Sequence, residues 1–219
     1  IVSQIQDMVS ARQVFDAPWQ DIRELVRING DDFTRRPPSG MGEVRSNRVY
    51  DSTAIEAAEQ LASGLHSYLT NPVERWFTIG VAGFRPEDYD EEVLAWLEVV
   101  SDTIYEQYGQ EESMFNTAMH EAYLDIAAFG TCIPYQEFSR QKNGLFLRTF
   151  PVADCYLREG AEGRVDTIAR RTTMTARQVG QQFKQLPEKL SKLVSGDAKQ
   201  TRLVEIFHYC FPRTDRIYG

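Results

Sequence analysis

The spacing of apolar residues changes once along this 219-residue chain, near Gly130. Before it, Ala54, Ala58, Leu61, Leu65 and Leu69 follow one another at intervals of four, three, four and four. Val93, Leu97, Val100, Ile104 and Tyr108 form a second such series, with Trp96 alongside, and Phe115, Met119, Ala122, Ile126 and Phe129 a third. Each series puts one apolar stripe on an α-helix. After Gly130 the pattern becomes strand-like in Thr131–Ser139, Leu145–Phe150, Cys155–Arg158, Val165–Thr173 and Thr201–Phe211. The chain is therefore expected to be α+β, with three to five helices in its first half and β-hairpins in its second. Three stripes close together each need a partner face, so the Ser52–Leu69 helix is expected to be buried against the other two.

Local punctuation sets the boundaries. Ile1, Ile5, Met8, Val9 and Phe15 suggest a first short helix that Pro18 breaks, and Trp19, Ile22, Leu25 and Val26 a second that stops near Asn29-Gly30. Gly30 to Val49 reads as a long irregular connection. Thr53-x-x-Glu56 fits a capping box for the next helix, and Asn71-Pro72 ends it. Pro86 precedes a helix from about Asp88 to Tyr108, and Ser113–Phe129 follows with Gly130 as its cap. Asn143-Gly144 marks a hairpin, and Gly160–Gly163 a second. Thr175–Phe183, capped by Thr175, and Glu188–Val194 read as short helices. Two portions are expected, 1–130 helical and 131–219 β-rich, joined in one structural domain.

Composition narrows the chemistry. Apolar residues make up 42%, enough for a sizeable core, and no apolar run approaches a membrane span. The chain starts at Ile1 and shows no signal-peptide pattern, and we read it as part of a longer protein. Three widely spaced cysteines argue for free thiols in a reducing cytoplasm. The net charge of −8 is uneven: residues 86–125 carry twelve acidic side chains and no Lys or Arg, whereas residues 126–219 carry fifteen basic and nine acidic. Such a block is either a solvated face or one half of a complementary contact between copies. An acidic chain also grips DNA poorly, because affinity for nucleic acid comes from neutralising phosphates.

No phosphate loop or nucleophile elbow is present, and no cofactor or metal is expected. His120-Glu121 fails the metalloprotease pattern because Leu124 stands where the second histidine would be. His208 and Cys210 share a strand face but lack further ligands. Glu121 and Asp125 lie one helical turn apart, and such a pair can do acid–base work; a hydrolase using them is the alternative function, and an isolated helical interaction module a third. Arg35, Arg36, Arg45 and Arg48 sit in the irregular connection. Alternation puts Arg170 and Arg171 on opposite faces of a strand, which splits any phosphate patch with Arg164 and Arg177 and favours salt bridges.

Four segments carry a family resemblance: Tyr50–Phe77, Phe115–Thr131, Gly163–Arg171 continuing into Met174–Gln178, and His208–Arg213. They resemble the portal, or head-to-tail connecting, proteins of short-tailed bacteriophages, and in the family's order they cover most of residues 19–213. The resemblance implies a structural subunit, not an enzyme, in a ring of twelve copies at one capsid vertex. It also implies capsid, tail-adaptor and terminase partners, and a channel through which DNA passes in packaging and ejection. The implied setting is the virion, with assembly in the host cytoplasm. Family members are more than twice this length, with stem and clip further along, so the chain is expected to correspond to the N-terminal wing. Arg35, Arg36, Arg164, Arg170 and Arg171 are the candidate subunit-interface residues. Separately, the charge split leads us to expect that the acidic block 86–125 of one copy lies near basic residues of the next, from the set Arg140, Lys142, Arg148, Arg164, Arg170 and Arg171.

Overall fold

The computed structural model describes residues 2–28, 33, 49–139, 144–194 and 201–213. The helices are α1 Val2–Leu25, α2 Thr53–Leu69, α3 Glu91–Gly109, α4 Phe115–Phe129, α5 Ala176–Gln182 and α6 Glu188–Val194. The strands are β1 Ile133–Ser139, β2 Gly144–Phe150, β3 Cys155–Glu159, β4 Val165–Thr175 and β5 Leu203–Cys210. The α+β class and the change near Gly130 are as the sequence predicts. The chain forms two compact units, Ala17–Val152 and Ile1–Asp16 together with Ala153–Gly219.

Helix α1 departs from expectation, because Pro18 lies inside it and does not break it. Proline removes one hydrogen bond and crowds the preceding turn at a cost of about 3 kcal/mol. The helix survives because it is held on either side: Arg12 and Arg23 are both buried. The division between the two units nevertheless falls at Asp16/Ala17, beside that proline.

The Ala17–Val152 unit is built on α4. Small and large residues alternate on its buried side, where Ala118 and Ala122 let neighbours approach and Phe115, Tyr123 and Leu124 fill the space. Helix α2 packs there through Ala62 and Leu65 against Tyr123, Leu124 and Met119. Strand β2 packs on the same helix through Leu147, against Phe115 and Ala118. Strands β1 and β2 pair antiparallel from Ile133↔Phe150 to Ser139↔Gly144, as expected of a hairpin; Gly144, expected in the turn, belongs to β2, and residues 140–143 lie outside the described residues. Gly130 ends α4 at φ 74°, where a side chain would be strained, and its N–H reaches the Ile126 carbonyl at 3.0 Å.

Two stripes differ from expectation. The buried side of α2 runs through Ala62 and Leu65, while Leu61 is 51% exposed and Leu69 is exposed too. The partner, α4, is rich in alanine, so the close approach favours the small residues of α2 over its leucines. Helix α3 does not share the α2 core; it meets α4 through Tyr108, which lies 4.6 Å from Phe115 between ring centroids. Ile126, expected in the α4 seam, is exposed.

The predicted caps are partly rearranged. Thr53 is the first residue of α2, and Asp51 supplies the acceptor, to the Thr53 N–H at 3.0 Å and its hydroxyl at 2.7 Å. These bonds, the hydroxyl one first, hold the Asp51 carboxyl below its ordinary range. Beyond α2, the Asn71 side chain accepts the Val73 N–H at 2.8 Å, a turn that fits the stop expected at Asn71-Pro72.

The other unit contains a three-stranded antiparallel sheet in the order β3-β4-β5. Ile5 and Met8 of α1 pack on Tyr156 and on Ala169, whose small side chain is fully buried. Arg12 donates to the Ala153 and Cys155 carbonyls, the latter at 2.9 Å, and stands 4.0 Å from the Tyr156 ring centroid. Thr175 caps α5 as the sequence predicts, in a reciprocal box with Gln178. Helix α6 comes so close to α5 that a Cβ on Gly180 would lie 2.4 Å from a Val194 methyl.

Candidate subunit-interface surfaces

The structure separates the residues that sequence reasoning grouped as interface candidates. Arg35 and Arg36 lie outside the described residues, as do Arg45, Arg48, Arg140 and Lys142. Arg164 is exposed just before β4. Arg170 and Arg171 do take opposite faces of β4: Arg170 stands across from Cys155 on one side and His208 on the other, whereas Arg171 pairs with Glu205 and lies 5.8 Å from the Phe207 ring. Arg171, Glu205 and Phe207 line a cleft of about 550 Å³ with Val2, Ile5 and Val9 of α1. Arg148 reaches Glu137 at 3.8 Å and lies 4.9 Å from the Phe150 ring, so it braces its own hairpin.

The acidic block is partly neutralised within the chain. Arg75 bridges Glu98 at 2.7 Å and Asp102 at 2.8 Å on α3, and Arg85 pairs with Glu87 at 3.4 Å. Arg27 reaches Asp125 at 3.2 Å. These cations all come from residues 1–85, which carry nine basic and eleven acidic side chains, a near balance that concealed them. The position of Arg75, immediately before the Trp76-Phe77 pair, was the available signal. Trp76 stacks on Phe115 at 5.9 Å, and the Ile79 N–H donates to buried Ser101 at 3.1 Å; together these contacts lay the segment after α2 along α3 and α4.

Glu121 and Asp125 sit in different environments. Glu121 is exposed, while Asp125 is buried and held by Arg27. Burial pushes the Asp125 carboxyl up to about 6; Arg27 opposes that rise and Glu121 adds to it. The result is a buried ion pair between the chain just after α1 and α4.

A polar chain that sequence reasoning missed runs between α2 and α4. His66 Nδ1 is 2.7 Å from the Thr70 hydroxyl, which is 3.1 Å from the Tyr123 hydroxyl. His120 lies 3.2 Å from a Glu59 carboxylate oxygen and 6.4 Å, centroid to centroid, from the His66 ring. Burial first, and His120 second, hold His66 below its usual range. These histidines are packing and hydrogen-bonding residues of a helix pair. On β5, His208 and Cys210 approach to 3.4 Å on an exposed face. Burial pushes the Cys155 thiol up to about 12, which makes it inert as a nucleophile.

Exposed apolar side chains occur on several elements, α3 among them. Trp96, expected beside the buried stripe, is 62% exposed, and Val99 is 63% exposed. Among the described residues no helix is long and apolar enough to cross a membrane.

The chain is 27% identical to the portal protein of Salmonella phage epsilon15 over 225 residues, covering 100% of this chain and 39% of the relative. It is 24% identical to the probable portal protein of Bordetella phage BPP-1 over 222 residues, covering 99% of this chain and 38% of that relative. The chain thus spans well under half the length of the curated relatives it matches. The profile of the bacteriophage head to tail connecting proteins matches residues 1–218. This chain belongs to the family of bacteriophage head to tail connecting proteins.

Proposed function

We propose that the chain acts as the wing portion of a structural subunit in a phage portal ring, at the capsid vertex where head meets tail. The family match across residues 1–218 carries this reading. The ring would hold twelve copies, connect capsid and tail adaptor, serve as the dock for terminase, and let DNA pass in packaging and ejection. Stem and clip would be supplied by further portions of a longer chain. The subunit would assemble in the host cytoplasm and remain in the virion. Arg35, Arg36, Arg164, Arg170 and Arg171 stay candidates for the contact between copies, with Arg164 the one that is both described and exposed.

The physical features support such a role. The buried clusters are made largely of aliphatic, alanine and aromatic side chains. The carboxylate that a hydrolase would use, Asp125, is engaged by Arg27. Nothing in the geometry favours the hydrolase. A chain with a net charge of −8 has little with which to neutralise phosphates, which suits a part that does not grip DNA.

Negative-stain imaging tests the reading directly. Full-length protein that forms closed rings supports it, and full-length protein that stays monomeric at tens of micromolar contradicts it. A fluorescence anisotropy titration with duplex DNA at physiological salt gives the second check. Binding should be weak; submicromolar affinity with a steep salt dependence would contradict the passive role.

A further inference from the structure

We propose that the outward face of α3 docks on the corner where α5 meets β5 in a second copy of this chain, with Trp96 as its anchor. This rests on the ring reading above and names the two surfaces that would join. Helix α3 turns Leu97 and Ser101 inward. Glu92, Trp96, Val99 and Thr103 follow at intervals of four, three and four, and all four are exposed. A helix facing only water gains nothing from a tryptophan and a valine on its outer side. Tryptophan is, in contrast, among the residues that most often anchor an interface.

The charge around this apolar strip identifies the occupant. Glu91, Glu92 and Glu106 are exposed and make no ion pair among the described residues, whereas Glu98 and Asp102 are held by Arg75. A partner must therefore offer an apolar seat flanked by cations. The chain itself carries one. The Ala176 N–H donates to the Arg202 carbonyl at 2.9 Å, which ties the start of α5 to the start of β5. That bond brings Arg177 and Arg202 to the same corner as Leu203, which is 56% exposed. Both arginines are exposed, and neither forms an ion pair among the described residues. Strand β5 is also an edge of its sheet, and native proteins tend to cover or charge such edges.

Two different patches on one chain, opposite in charge and each with an apolar centre, fit a head-to-tail contact that repeats around a ring. An arginine over the Trp96 ring would add a cation–π contact. A second copy is thus the occupant that the charges favour over a neutral or acidic partner.

Disulfide trapping tests the pairing. Val99→Cys and Thr201→Cys are placed together in a chain carrying Cys210→Ser, which leaves Trp96, Arg202 and Leu203 intact. Mild oxidation should give a ladder of covalently linked chains, the two single variants mixed together should stop at linked dimers, and each single variant alone should show no linked chains. Independently, Glu92→Arg should weaken self-association about tenfold or more, and Arg177→Glu in the same chain should restore it. Wild-type protein that assembles while the ladder and the rescue are both missing overturns the pairing and leaves the ring reading standing. Wild-type protein that does not assemble at all overturns both.

Discussion

Helices α3 and α4 lie close in sequence and differ in what they do with their side chains. Helix α4 has 15 residues and buries Phe115, Ala118, Ala122, Tyr123, Leu124 and Asp125. Helix α3 has 19 residues and buries only Leu97 and Ser101. The shorter helix holds the surrounding structure together by accepting α2 on one side and β2 on another. The longer one rests on that structure through one narrow strip and exposes a tryptophan, a valine and several carboxylates. Apolar content alone does not distinguish them. What does is the alanine spacing of α4, which lets two neighbours approach, against glutamates on α3 at the positions where a second neighbour would have to sit.

The largest effect should come from cutting into α4. Phe115→Ala removes a ring packed among Trp76, Tyr108 and Leu147 and should cost about 3–5 kcal/mol in denaturant unfolding. A loss below 1 kcal/mol would mean that α4 is not the organising helix.

Next is the buried pair at Asp125. Its carboxyl sits near 6 in the folded chain, against an ordinary value of 3.8. Between these values the folded state keeps a proton that the unfolded state has released, so stability falls as pH rises through the window. Relative to Asp125→Asn, the wild type should lose about 2–3 kcal/mol between pH 4 and pH 7. A difference between the two chains that ignores pH would remove the desolvated carboxylate from the account.

Gly130→Ala should cost about 1–2 kcal/mol, because φ 74° strains any L side chain. Smallest should be Leu61→Ala and Trp96→Ala, each about 0.5 kcal/mol or less in the isolated chain, since both side chains face water. Thermal unfolding at one protein concentration checks all three. A large loss at Trp96 would make α3 a core helix and erase the comparison.

Much of the fold was legible because its signals are local. The Thr175 cap, the Gly130 stop and the pairing of the strands on either side of both expected hairpin turns depend on residues a few positions apart, and they appear where the spacing puts them. The misreadings are all tertiary. Pro18 is a breaker by propensity, yet Arg12 and Arg23, buried on either side of it, hold one helix through it. The Leu61–Leu65–Leu69 series looks like a buried stripe, but α2 presents Ala62 because its partner is alanine-rich. The candidate interface was legible only as a charge imbalance. Arg75 and Arg27 neutralise part of the acidic block from far along the chain, and no spacing rule pairs Arg75 with Glu98. The exposure of Trp96 was hidden for the same reason, since one helix face looks like another until its neighbours are in place.

The most direct test compares Trp96 in single chains and in assembled protein by hydroxyl-radical oxidation read out by mass spectrometry. Trp76, already stacked on Phe115, serves as the internal reference. The account predicts that Trp96 oxidises readily in the monomer and becomes strongly protected on assembly, while Trp76 changes little. Equal oxidation of Trp96 in both forms, or the absence of any assembled form, would contradict it.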